Sequence, residues 1–224
     1  MRHIAIILDG NRRFAKRLMM KPWMGHEWGF KKVEKLLEWI TEFKFIKELT
    51  LYAFSMQNFN RPKNEFKHLM EIFNGMCDRF LDDSRLMKNK IRINFIGRTH
   101  LLPVDLQEKM KKLFEKTKNN KRYIINIALA YGGREEVIDA IKKMIKNREI
   151  DEINEKNFAK NLYTKSEPDI IIRTGGDKRT SNFMIWQSAY SEWFFIEKTW
   201  PEFEKEDLIK IIKEYKLRER RFGK

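Results

Sequence analysis

The 224 residues include 42% hydrophobic side chains, enough to close one sizeable core as a single domain spanning 1–224. No stretch approaches the ~20 apolar residues of a membrane span, and the single cysteine, Cys77, excludes an internal disulfide and fits a reducing cytoplasm. A net charge of +15 calls for an acidic partner: nucleic acid, an anionic membrane surface or phosphorylated substrates, unless it only solvates helix faces.

The apolar run His3–Leu8 reads as a strand. It is too short for a signal-peptide core and no small-residue cleavage site follows, so a cytoplasmic location is expected. The run ends at Asp9-Gly10-Asn11-Arg12-Arg13. A carboxylate at a strand's carboxyl edge suits Mg²⁺, which takes few carboxylates plus substrate phosphates. Gly10 permits a tight turn, and a helix start there offers free N–H groups to a diphosphate, with Arg12 and Arg13 as charged donors. The alternative is an Asp-Gly turn before a solvated basic helix.

Further strands are expected at 48–54, 91–97, 123–130, 169–173 and 193–196. Helices are expected near 26–44, 64–88, 104–118, 133–147, 154–162, 181–190 and 204–216. Strands alternating with helices predict an α/β fold: a central, mainly parallel sheet of about six strands, flanked by helices. Ligands then bind beyond the carboxyl ends of the strands.

Two more segments lie at that edge. Ser55 to Pro62 carries Ser55, Asn58 and Arg61, a set able to bind phosphate or simply to end a strand before a helix. Asp169–Ile172 leads into Arg173-Thr174-Gly175-Gly176-Asp177-Lys178-Arg179-Thr180-Ser181. Its two glycines admit close backbone approach, and Arg173, Arg179 and Ser181 are candidate phosphate donors, although Ser181 also suits a helix cap. Between the second and third strands, Phe66, Leu69, Met70, Phe73, Met76, Cys77 and Phe80 form an apolar helical stripe.

Taken together, HIAIILDGNRR, LYAFSMQNFNRP, INIALAYGGR, RTGGDKRTSNFMIWQSAYSEW and the terminal RERRFG resemble the cis-prenyltransferase family. They stand in the family's order from His3 to Gly223, and the chain is most similar to undecaprenyl diphosphate synthases. The resemblance implies a Mg²⁺-dependent enzyme. It would add isopentenyl diphosphate to an allylic diphosphate, with farnesyl diphosphate the expected primer, and make undecaprenyl diphosphate for cell-wall glycan carrier lipid.

Residue by residue, the resemblance implies that Asp9, Ser55 and Asn58 are catalytic and that Asp9 and Glu192 hold metal. Gly10, Asn11, Arg12, Arg13, Phe14, His26 and Arg61 would bind the allylic diphosphate, and Arg173, Arg179 and Ser181 the isopentenyl diphosphate. Arg221 in the terminal motif would complete the site across a homodimer interface. Part of the apolar stripe would line a hydrophobic tunnel for the growing chain. Membrane contact is expected to be peripheral, at the inner face.

The chain departs from the family at Gln57 and Asp177, where glutamates are usual, at Lys178 in place of histidine, and near Pro22, where a basic residue is common. Three other readings are weaker. Asp82-Asp83-Ser84-Arg85-Leu86 lacks the last aspartate of a trans-prenyltransferase motif. No nucleic-acid-binding motif accompanies the basic charge, so no nucleic-acid partner is expected. A non-catalytic family subunit tends to lose the first-strand aspartate and flanking arginines, which are present here.

Overall fold

The computed structural model describes residues 1–149 and 153–218. Six strands make one sheet: β1 (His3–Ile7), β2 (Glu48–Ser55), β3 (Ile91–Ile96), β4 (Tyr123–Tyr131), β5 (Ile170–Arg173) and β6 (Glu192–Phe195). Their order is β3-β4-β2-β1-β5-β6, and every pairing is parallel. The inner strands are rich in β-branched residues and buried on both faces, as a covered parallel sheet requires. The expected α/β architecture is the one found.

Among the described residues, eight α-helices surround the sheet: α1 (Asn11–Arg17), α2 (Gly25–Glu42), α3 (Lys63–Asp82), α4 (Ser84–Lys88), α5 (Val104–Thr117), α6 (Gly133–Lys146), α7 (Glu155–Asn161) and α8 (Lys205–Leu217). The larger core cluster joins the sheet to α2, α3, α5 and α8, while a smaller one on the other face includes Tyr52, Tyr131, Phe183 and Met184. The helix expected over 64–88 breaks at Asp83, whose carboxylate accepts the Arg85 N–H and starts α4. Cys77 is buried in the main core, and burial, with Asp78 nearby, pushes its thiol up to about 12.

No helix forms over 181–190, which is a series of turns. Ser181, Asn182 and Met184 all adopt positive φ. Tertiary partners replace the helical hydrogen bonds: the Asn182 carbonyl accepts from Gly133 N–H (2.7 Å) and the Ser181 carbonyl from the Tyr52 hydroxyl (3.3 Å). The neighbouring Phe183 and Met184 side chains can thereby both be buried.

The order of connection reverses beside β1: β2 lies on one side and β5 on the other. A crevice is expected at the carboxyl ends of strands flanking such a reversal. Asp9 follows β1 there, and Arg173 ends β5.

Candidate active site

A cavity of about 960 Å³ opens at this edge. Its mouth is charged, with Asp9, Arg12, Arg13, Arg61, Arg173 and Arg179 on its walls. Its depth is apolar, between Phe30 and Val33 of α2, Leu69, Phe73 and Met76 of α3, and Leu51 beneath them. Three residues of the apolar stripe therefore line the cavity, together with Ile72; Phe66, Met70, Cys77 and Phe80 do not.

One side of the mouth is built on β1 and β5. Thr174 Oγ1 accepts the Asp9 N–H (3.0 Å) and donates to the Asp9 carbonyl (2.7 Å), fastening the two strand ends together. Gly10, at φ 100°, turns the chain into α1 where a Cβ would stand 2.7 Å from Thr199. The Arg173 guanidinium, only 3% exposed, donates to Asp9 Oδ2 (2.8 Å) and Ser181 Oγ (2.7 Å). Its buried Nε has no partner among the described residues. Arg13 Nη2 touches both Asp9 Oδ1 (3.2 Å) and Asp177 Oδ2 (3.0 Å), and Arg179 pairs with Asp177 Oδ1 at 2.9 Å. Burial acts upward on the Asp177 carboxyl, but Arg179 and Arg13 outweigh it and hold it below the usual range. The result is a three-arginine, two-carboxylate cluster.

The other side is built on α1, α2 and α3. Arg61 donates to Glu65 and lies 3.2 Å from His26 Nε2. Glu65 also has His26 Nε2 and Arg12 Nε each at 3.7 Å. The carboxylate is 2% exposed, and it lies behind three side chains that line the cavity. The His26 contact, followed by the charge of Arg61, outweighs burial and holds Glu65 at about 2. Burial above all keeps His26 below its ordinary value. Sequence reasoning missed Glu65. Its signal was the i,i+4 spacing from Arg61 at a helix start.

Between the two sides, Ser55 and Asn58 reciprocally cap the 3-10 turn Met56–Asn60, with the Ser55 N–H on Asn58 Oδ1 at 2.9 Å. Both side chains border the cavity. Asn11 donates to the Leu8 carbonyl (3.0 Å) and fits against Gly25 and Gly29, joining α1 to α2.

Two expected site residues are not brought to the mouth. Phe14 turns away and packs on Trp28, with ring centroids 5.7 Å apart. Glu192 pairs in register with Ile170 at the opposite end of the sheet, where Arg218 Nη1 lies 2.6 Å away. Within one chain, therefore, Glu192 cannot share a metal ion with Asp9. Arg221 lies outside the described residues. Asp9 and Asp177 supply hard oxygens around one arginine, which fits an ion that takes one or two carboxylates plus substrate phosphates.

A family profile described as "Putative undecaprenyl diphosphate synthase" matches residues 7–223. A tritrans,polycis-undecaprenyl-diphosphate synthase (geranylgeranyl-diphosphate specific) from Pyrococcus furiosus is 44% identical over the whole chain and 87% of its own length. An isoprenyl transferase from Thermus thermophilus is 40% identical over the whole chain and 89% of its own. Among solved structures, a probable undecaprenyl diphosphate synthase from Campylobacter jejuni superposes with a TM-score of 0.86 at 36% identity, covering 100% of this chain and 99% of that one. Lavandulyl diphosphate synthase from Lavandula x intermedia, in complex with dimethylallyl diphosphate, gives 0.91 at 33% identity, covering 99% and 98%.

Proposed function

The chain belongs to the cis-prenyltransferase family, and on that premise we propose that it extends an allylic diphosphate with isopentenyl diphosphate to a long-chain polyprenyl diphosphate. The observation that carries this reading is the junction of two arginine clusters with one deep apolar cavity. Two diphosphates need two cationic cradles, and a prenyl tail needs apolar walls. Arg173, Arg179 and Ser181 form the cradle for isopentenyl diphosphate, and Arg13, expected from the motifs at the allylic diphosphate, is proposed to join them because it contacts Asp9 and Asp177. Arg12, Arg61 and His26 form that for the primer, whose tail enters between α2 and α3.

The allylic C–O bond breaks with its electron pair leaving on the diphosphate. The isopentenyl double bond attacks the cationic carbon, and a C–H proton is then lost to give the new double bond. Guanidinium groups fixed before reaction stabilise the leaving charge without reorganising. Bound Mg²⁺, held by Asp9 with Asp177 beside it, would supply further charge neutralisation to the diphosphates.

For the primer we propose geranylgeranyl diphosphate rather than the farnesyl diphosphate expected from the motifs. Relatives at 42–44% identity carry that specificity in their names. The proposed product is undecaprenyl diphosphate, with a role as glycan carrier lipid. A homodimer completed by Arg221 is proposed on the family pattern, and Ile138, Ile141 and Ile145, exposed on α6, offer it an apolar face. Among the described residues no helix is long and apolar enough to cross a membrane, and contact with lipid is proposed as peripheral.

Radiolabelled isopentenyl diphosphate with Mg²⁺ and either primer tests this, with chain length resolved after extraction. An EDTA-sensitive ladder, built faster on geranylgeranyl diphosphate, is expected. A faster ladder on farnesyl diphosphate would reverse the primer assignment, and no incorporation with either would refute the proposed reaction.

A further inference from the structure

Helix α1 supplies Arg12, Arg13 and Lys16 to the cavity mouth, and just past its last turn it places apolar side chains in water. Met19 is 96% exposed at φ 56°, and Leu18 is 49% exposed. Leu18 lies one helical turn beyond Phe14, whose ring packs on Trp28, itself 46% exposed. These side chains make an apolar strip with exposed members at the α1 tip and on the outer side of α2.

Cations frame this strip. The Lys31 ammonium lies 5.4 Å from the Trp28 ring centroid, and Lys21 lies 5.6 Å from that of Trp23. From Arg12 to Lys35 there are eight lysines and arginines against two acidic residues, Glu27 and Glu34; Arg12, Arg13, Arg17 and Lys32 pair with acids elsewhere, which leaves Lys16, Lys21, Lys31 and Lys35 to the surface. Both acids are already engaged, Glu27 with His68 at 3.2 Å and Glu34 with Arg79 at 3.8 Å. Exposed Met and Leu beside Trp and Lys make an amphipathic surface suited to the boundary between anionic headgroups and acyl chains. A nucleic-acid backbone would use the cations but would gain nothing from Leu18 and Met19.

We propose that the strip formed by Leu18, Met19 and Trp28, with Lys21, Lys31 and Lys35 around it, docks the enzyme on an anionic lipid bilayer. The inference rests on the long-chain prenyl reading, because the benefit of docking is a short path from the cavity mouth to acyl chains for a product that water excludes. Apolar insertion gives the contact depth, and the lysines make it depend on anionic lipid and on salt.

Co-sedimentation of the full chain with phosphatidylcholine vesicles, with and without phosphatidylglycerol, tests the surface. The wild type is expected to partition onto the phosphatidylglycerol vesicles and to release as salt rises. Leu18→Glu with Met19→Glu should lower that partitioning by at least about tenfold, and Lys31→Gln with Lys35→Gln should lower it less and flatten the salt dependence. Both pairs are on the exposed surface, so melting temperature and ladder formation in detergent should stay at wild-type levels. Equal binding to both vesicle types, undiminished binding by the Leu18/Met19 variant, or binding to random RNA but to neither vesicle would each overturn the proposal. If the detergent assay gives no ladder even for wild type, the enzymatic reading fails by itself, and the vesicle result still decides the surface.

Discussion

The two sides of the cavity mouth gather arginines by opposite means. On the β1–β5 side the acids are themselves partly exposed, at Asp9 and Asp177, and each faces more than one guanidinium. On the α1–α3 side one buried carboxylate, Glu65, stands behind Arg12, His26 and Arg61. An exposed acid can exchange an arginine for a metal ion or a phosphate, because water and ligand reach it. A buried carboxylate cannot, since losing its partners would leave an uncompensated charge in a low-dielectric interior. The first side is thus built to re-partner and the second to stay in place.

The largest break in this contrast is expected from Asp9→Ala. It removes the acid facing Arg173 and Arg13 and should cost turnover about 10³-fold, the scale of losing preorganised electrostatic stabilisation; circular dichroism should stay near wild type while melting falls, because the buried Arg173 guanidinium loses its carboxylate. Normal steady-state turnover in this variant would end the assignment of Asp9.

Glu65→Gln should act differently. With the charge gone, Arg12 and Arg61 are free to move, and KM for the primer should rise roughly tenfold or more, as when a buried charge-assisted contact is lost. KM for isopentenyl diphosphate should stay nearly constant, and Glu65→Asp should recover part of the loss. Equal rises in both constants would show that the two sides are not independent.

A smaller effect is expected at Gly175, whose φ is 89° and where a Cβ would stand 2.7 Å from Arg13 Nη2. Gly175→Ala should cost about 1–2 kcal/mol of stability from the left-handed conformation. By displacing Arg13 it should also weaken isopentenyl diphosphate binding a few-fold. Urea melts paired with isothermal titration would separate the two effects.

The gentlest probe is acid. Burial holds His3 and His26 below their ordinary 6.5, so both gain protons less readily in the folded chain than once unfolded. Their contribution to stability is complete above about pH 6.5 and is lost as pH falls from there. Glu65, near 2 when folded against an ordinary 4.5, contributes above about pH 4.5 and loses that contribution on the way down to 2. Urea midpoints should therefore fall in two stages on acidification, and Glu65→Gln should shrink the second, to which Asp139, Asp169 and Asp177, also held below the usual carboxylate range, contribute as well. A single stage unchanged by that substitution would show that Glu65 is not held by its partners.

Six strands and most helices were legible because apolar runs and i, i+3, i+4 stripes record burial directly in local spacing. The mouth residues that close strands, Asp9, Ser55 and Arg173, were legible for the same reason: in a parallel sheet the carboxyl edge can be located before any contact is known. Phe14 and Glu192 were not, since helix orientation and strand register decide which way a side chain faces. The stretch 181–190 reads as helical, yet Tyr52, Tyr131 and Gly133 satisfy its backbone from elsewhere and leave three residues at positive φ. In the sequence Glu65 is a single acid in the first turn of a helix, with nothing beside it to mark burial. Only tertiary packing buries it among Arg12, His26 and Arg61, because the desolvation that makes a carboxylate an anchor belongs to its surroundings and not to its place in the chain.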